Sequence, residues 1–96
     1  STARVQSRSI MVGDVVVYRD GESENTLVGE IYWLASINGE LPVCVSAWQI
    51  KTNLGRYRRV LVEENFSIIP AERLLQAMIF TPTEVRSIAT VIMPAL

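Results

Sequence analysis

Two runs rich in β-branched and aromatic residues, Leu27 to Ile37 and Leu41 to Ile50, stand on either side of Asn38-Gly39. Nothing else in the chain constrains its fold as strongly. Such runs suit a pleated, half-buried surface, and Asn-Gly between them is the strongest short-range hairpin signal. Asn-Gly suggests a two-residue type I′ turn, but the pairing parity opposes it. A two-residue loop pairs Ile37 with Glu40 and sets even residues of one arm beside odd residues of the other, so each face mixes core and polar side chains. A three-residue loop with Gly39 at a left-handed bulge keeps odd beside odd. It gathers Leu27, Ile31, Trp33, Ala35 and Ile37 on one face with Leu41, Val43, Val45 and Ala47. A slip of one residue turns that whole set outward. The three-residue loop is therefore expected, with Trp33 in the core. The opposite face carries Glu30, Tyr32, Ser36, Cys44, Ser46 and Trp48. That mixed polar and aromatic surface is either covered by the rest of a curled sheet or open to a ligand.

Further strands flank this hairpin. Val12-Gly13-Asp14 leads into Val15-Val16-Val17-Tyr18-Arg19, Arg59-Val60-Leu61-Val62-Glu63 reads as another strand, and Phe66 to Ile69 continues it after a bend. Lys51 to Gly55 breaks the pattern. Pro70 to Ala77 suits one or two helical turns, with proline in the first turn where no donor is needed. Met78-Ile79-Phe80 returns to strand. Thr81-Pro82-Thr83-Glu84 matches a capping box and predicts a short helix from Pro82 to about Ala89. Ala89 to Met93 then closes the sheet. Residues 1–11 read as a flexible, polar N-terminal segment and residues 12–96 as a single domain. A two-stranded ribbon with about ten residues per arm must twist and coil, and closure hides its edges. The fold class expected from the residues is mainly β, a small, strongly curled barrel with one or two short helices.

Composition narrows the function. A chain of 96 residues has room for one domain, and 49% hydrophobic with 20% charged residues suits a buried core rather than a disordered tail. There is no histidine, which excludes Ser-His-Asp and Cys-His triads and imidazole zinc sites. The lone Cys44 excludes an intrachain disulfide. With no secretory signal, it favours a reducing, intracellular compartment. No uncharged apolar run approaches the ~20 residues of a membrane span, so no membrane partner is expected. The chain opens without methionine and ends on Met93-Pro94-Ala95-Leu96, which reads as a domain cut from a longer protein.

No catalytic constellation is legible, so an enzyme is not expected. The carboxylates are scattered, and adjacent Glu63-Glu64 in a strand point to opposite faces. The glycines are isolated and form no phosphate loop. The Asp20-Gly21-Glu22-Ser23-Glu24 loop is the sole metal candidate and lacks the spacing of a calcium loop; no metal or cofactor is expected. Lys51, Arg56, Arg58 and Arg59 surround Tyr57, a composition that grips phosphate and stacks on a base, or contacts an acidic surface. A solvated hairpin end explains the same charges. Tyr18, Tyr32 and Trp48 lie on the first strands and are candidates for a peptide-binding aromatic cage. The commoner reading is that such rings pack as core with a hydroxyl or indole reaching the surface.

The order of elements resembles the BAH (bromo-adjacent homology) family over roughly residues 12–80. Val12-Gly13-Asp14-Val15-Val16-Val17-Tyr18 resembles the family's first strand, opened by a Gly-Asp pair. Val28-Gly29-Glu30-Ile31 looks like the following strand, and Val43-Cys44-Val45-Ser46-Ala47-Trp48 is similar to the third, which ends in an aromatic. Glu64 to Phe80 resembles the segment in which a polar-aromatic stretch precedes Ile-Pro, a short helical turn and an apolar strand. The Arg-Pro-Glu-like signature common after the third strand is absent, because Gln49 to Arg58 reads differently. The resemblance implies a BAH-like or SH3-like barrel of the chromatin-associated or transposon-derived kind. It also implies a nuclear setting and a non-catalytic role.

The expected function is therefore an interaction module that binds chromatin, a histone tail or a chromatin-associated protein. The first alternative is a nucleic-acid-binding SH3-like module of a transposase or integrase type, acting through Lys51 and Arg56 to Arg59. The second is a structural homo-oligomer in which the apolar tail, Ile88 to Leu96, pairs with a strand edge on another copy.

Overall fold

The computed structural model describes residues 2–5, 8–21 and 25–93. It is mainly β, with 67% of the described residues in strands and 4% helical, and forms a strongly curled, open half-barrel in a small compact domain. The strands are β1 (Thr2–Val5), β2 (Arg8–Met11), β3 (Val15–Arg19), β4 (Thr26–Leu34), β5 (Pro42–Leu54), β6 (Tyr57–Leu61), β7 (Phe66–Pro70), β8 (Leu74–Ala77), β9 (Ile79–Pro82) and β10 (Ile88–Ile92). All pairings are antiparallel. The main sheet runs β8-β3-β4-β5-β6-β10-β9, with β7 also paired to β5.

The 13-residue β5 organises the molecule. One side pairs with β4; the other pairs first with β7 (Pro42 to Ser46) and then with β6 (Gln49 to Leu54). The sheet therefore curls two ways about β5 and builds a core on each face. One core joins Ile10, Val16, Tyr18, Ile31, Val43, Val45, Ile69, Ala71 and Leu74. The other joins Val15, Val28, Trp48, Val60, Ala89 and Val91. Four successive residues of β3, Val15 to Tyr18, are buried because the strand feeds both cores. Such double-sided burial explains an unbroken apolar run where a half-buried strand would alternate.

The hairpin differs from the expectation. Ile37 and Glu40 exchange N–H···O bonds of 2.9 Å each, so the loop is the two-residue Asn38-Gly39. Their φ angles of 53° and 81° suit a type I′ turn. Parity is corrected inside the strand instead. The register shifts between Ile31 and Trp33, a β-bulge at Tyr32, so that Ile31 faces Val45 while Trp33 faces Cys44. The bulge costs one unpaired residue and buries Ile31, Val43 and Val45 together. It also moves Trp33 off the core face: Trp33 is 38% exposed, and Ile37 and Leu41 lie in the open as well. Gly29, paired with Ala47, sits where the strands come so close that a Cβ would lie 2.6 Å from the Ser46 carbonyl oxygen.

Elsewhere, residues 2–5 and 8–11 pair as β1 and β2, with Ile10 fully buried. Strand β5 continues through Lys51 to Leu54, where a break was expected. The helical turn after Pro70 is a single 3-10 turn, Ala71–Arg73, and the chain re-enters the sheet at Leu74. Among the described residues, no helix forms after Pro82. Thr83 ties a hairpin loop instead: its Oγ1 accepts from the Val85 amide (3.2 Å), and Thr83 N–H donates to the Ile88 carbonyl (3.3 Å). The local capping chemistry is present, but β9 and β10 gain more by pairing across it. Among the described residues, no helix is long and apolar enough to cross a membrane.

Candidate functional site

The three rings expected to form a cage do not converge. Tyr18 is 2% exposed in one core, and Trp48 is 7% exposed in the other, edge-on to Phe80 at 5.9 Å. The Tyr18 hydroxyl and the Trp48 indole N–H have no hydrogen-bond partner among the described residues. Burial raises the Tyr18 pKa, and nearby Asp20 raises it further. Of the three, Tyr32 alone is on the surface, at 47% exposure.

A different set of side chains meets there. Register places Glu30 opposite Ser46 and Ser46 opposite Phe66; Trp33 faces Cys44, and Cys44 faces Ile68. Directly opposed residues share a face, so Glu30, Trp33, Phe66 and Ile68 project from the same side of the sheet. Tyr32 joins them: its ring meets Phe66 edge-to-face at 4.6 Å. Four large side chains, Tyr32, Trp33, Phe66 and Ile68, are thus exposed on one face. Beneath them Cys44 and Ser46 are buried, and burial raises the pKa of the Cys44 thiol. A buried thiol with a raised pKa is a poor nucleophile.

Carboxylates border this aromatic face because of Ser46. Between β6 and β7 the chain steps away from β5 over residues 62–65. The Ser46 hydroxyl fills the gap, donating to the Glu63 carbonyl and accepting from the Asn65 amide at 3.1 Å. A buried hydroxyl bonded at both ends holds the excursion in place. The result is a groove of about 330 Å³ lined by Glu30, Tyr32, Ser46, Glu63, Glu64 and Arg86, with Val62 and Ser87. No group of three or more His, Cys, Asp or Glu side chains among the described residues is arranged to hold a metal ion. Most of the acidic loop considered for calcium, residues 22–24, lies outside the described residues.

The basic residues divide between two faces. Asn53 and Val91 flank Arg58, whereas Thr52 and Thr90 flank Arg59, and successive strand residues point oppositely. Arg58 donates to the carbonyls of Gly55 and Tyr57, and Arg56 to that of Met93 at 3.3 Å. Lys51 is exposed at a second bulge, between Ile50 and Thr52. Lys51, Arg56, Tyr57, Arg58 and Arg59 therefore do not make one patch. The C-terminal strand is not an edge either: β10 is paired with β6 on one side and β9 on the other, and residues 94–96 lie outside the described residues.

Phe66, Ile68 and Trp33 escaped sequence reasoning. The one local signal was Tyr32-Trp33 itself, two adjacent large aromatics where an alternating strand places one inward and one outward. No protein-family model, curated protein or solved structure matches this chain, so the resemblance to BAH domains gains no support from comparison.

Proposed function

We propose that this domain is a non-catalytic interaction module that binds a basic protein segment, such as a histone tail or a basic stretch of a chromatin-associated protein. One observation carries the reading: an exposed aromatic face, Tyr32 with Trp33 and Phe66, borders a groove that holds three carboxylates, Glu30, Glu63 and Glu64, against one cation, Arg86. Ring faces attract an ammonium or guanidinium by about 0.5–2 kcal/mol, more as water is excluded. The carboxylates add a salt-sensitive attraction that steers a cation toward the rings. The resemblance to BAH domains supplies the chromatin and nuclear setting of this proposal.

The test is titration with lysine-rich histone-tail peptides, unmodified and trimethylated on lysine, followed by intrinsic fluorescence. The expected result is binding that weakens with salt and falls at least about tenfold in Tyr32→Ala. Absence of binding, or a Tyr32→Ala variant equal to wild type, overturns the proposal.

A further inference from the structure

Strand β7 pairs with β5 and with no other strand among the described residues. Two backbone bonds set its phase. Ala47 N–H donates to the Asn65 carbonyl at 2.9 Å and Ala71 N–H donates to the Leu41 carbonyl at 3.0 Å. Both belong to the odd-numbered positions of the β7 side. In an antiparallel ladder, backbone groups turn inward and outward alternately. Ser67 and Ile69 therefore spend theirs on β5, while the N–H and C=O groups of Phe66 and Ile68 point to the open side. Pro70 offers a carbonyl and no N–H, which ends the edge. The side chains of these outward-bonding residues are the exposed Phe66 and Ile68 of the aromatic face, the latter 64% exposed.

Carboxylates predominate at the two ends of the strand, while its middle, Ser67 to Ile69, lines a cavity that also holds Arg19, Asp20, Glu63 and Arg73. A groove of about 460 Å³ is lined by Ile68, Ile69 and Pro70 together with Gly39 to Pro42 and Glu72. Its charged residues, among those described, are Glu40 and Glu72. At the other end of the strand stand Glu63 and Glu64, in a groove that also holds Arg86. Carboxylates thus flank both ends of an unfilled strand position.

We infer that β7 takes up its ligand by strand addition: an extended, lysine- or arginine-bearing segment pairs with the outward groups of Phe66, Ile68 and Pro70. Alternate side chains of that segment lie against Phe66 and Ile68, and its cations reach the glutamates at either end. Main-chain bonds supply affinity in this mode and the alternate side chains supply specificity. The inference rests on the proposed binding of a basic segment and adds how that segment is held.

The experiment uses the full 96-residue chain and a lysine-rich histone-tail peptide in three forms. One is unmodified; the other two carry backbone N-methyl groups at alternate residues, in opposite phase, with charge and side chains unchanged. Strand addition predicts that one phase loses at least about tenfold in affinity while the other binds within about threefold of the parent. It also predicts slowed amide exchange at Phe66 and Ile68 in the complex. Ile68→Pro, which removes an outward donor and no bond to β5, weakens binding well beyond Ile68→Ala, which removes only a side-chain contact; the N-methyl peptides decide the matter if Ile68→Pro fails to fold. Binding that depends on Tyr32 but is indifferent to both N-methyl phases overturns strand addition and leaves the basic-segment reading standing. Absence of any binding overturns both.

Discussion

The Tyr18 hydroxyl lies in a closed core with no partner among the described residues. A buried polar group left unbonded costs about 1–3 kcal/mol, so Tyr18→Phe is expected to be at least as stable as wild type in urea unfolding at neutral pH. The same burial raises the pKa, with Asp20 adding to it. The unfolded chain therefore releases the phenol proton first as pH rises. Stability present below about pH 10 is lost as pH climbs through the raised folded value. Tyr18→Phe should remove this part of the alkaline decline. A variant clearly less stable at neutral pH would mean that the hydroxyl has a partner. Ser46 is the contrasting residue: its hydroxyl is satisfied at both ends and carries Glu63 and Glu64 to the site. One buried oxygen is a residual cost of the fold, and the other is what shapes the surface.

Among the elements, the β4–β5 hairpin carries the main lesson. The turn chemistry of Asn38-Gly39 was legible directly, because positive φ at two successive positions is a local property. The parity problem was legible too, but not its resolution. A bulge at Tyr32 satisfies both the two-residue turn and the buried set Ile31, Val43 and Val45. It sends Tyr32 and Trp33 to the same outer face, while Trp48, expected near the ligand, packs with Val28 and Val60. Unfolding of Trp48→Ala and Trp33→Ala separates these environments. Trp48→Ala should cost about 3–5 kcal/mol, the usual range for a core tryptophan, and Trp33→Ala no more than about half of that. Equal costs would place both rings in comparable packing.

At the scale of the whole molecule, two cores share three strands. Strands β3, β4 and β5 each give side chains to both clusters, so neither core can open while the other stays packed. Urea unfolding should be one transition, with far-UV circular dichroism and tryptophan fluorescence coincident. Val43→Ala in one core and Val60→Ala in the other should each lower the midpoint of that single transition, by about 2 kcal/mol in stability. Separate transitions in either variant would show that the two curls of the sheet fold independently.

The sequence by itself determined the β class, the positions of β3 to β7 to within a few residues, the place of the hairpin turn though not its length, and the final strand. These follow from propensity, apolar runs and turn residues, which act over a few positions along the chain. Only the tertiary structure decided which face of each strand is covered. Burial depends on what packs from elsewhere, and here both faces of β3, β4 and β5 are packed, which erases the alternation that normally marks the inner side. The same nonlocal packing drew Tyr18 and Trp48 inside, turned the first predicted helical stretch largely into strand, and turned the second into the β9–β10 hairpin loop. It also assembled Tyr32, Trp33 and Phe66 beside Glu30, Glu63 and Glu64. Those six residues come from two separate stretches of chain, 30–33 and 63–66, and only the register of β4, β5 and β7 makes them neighbours.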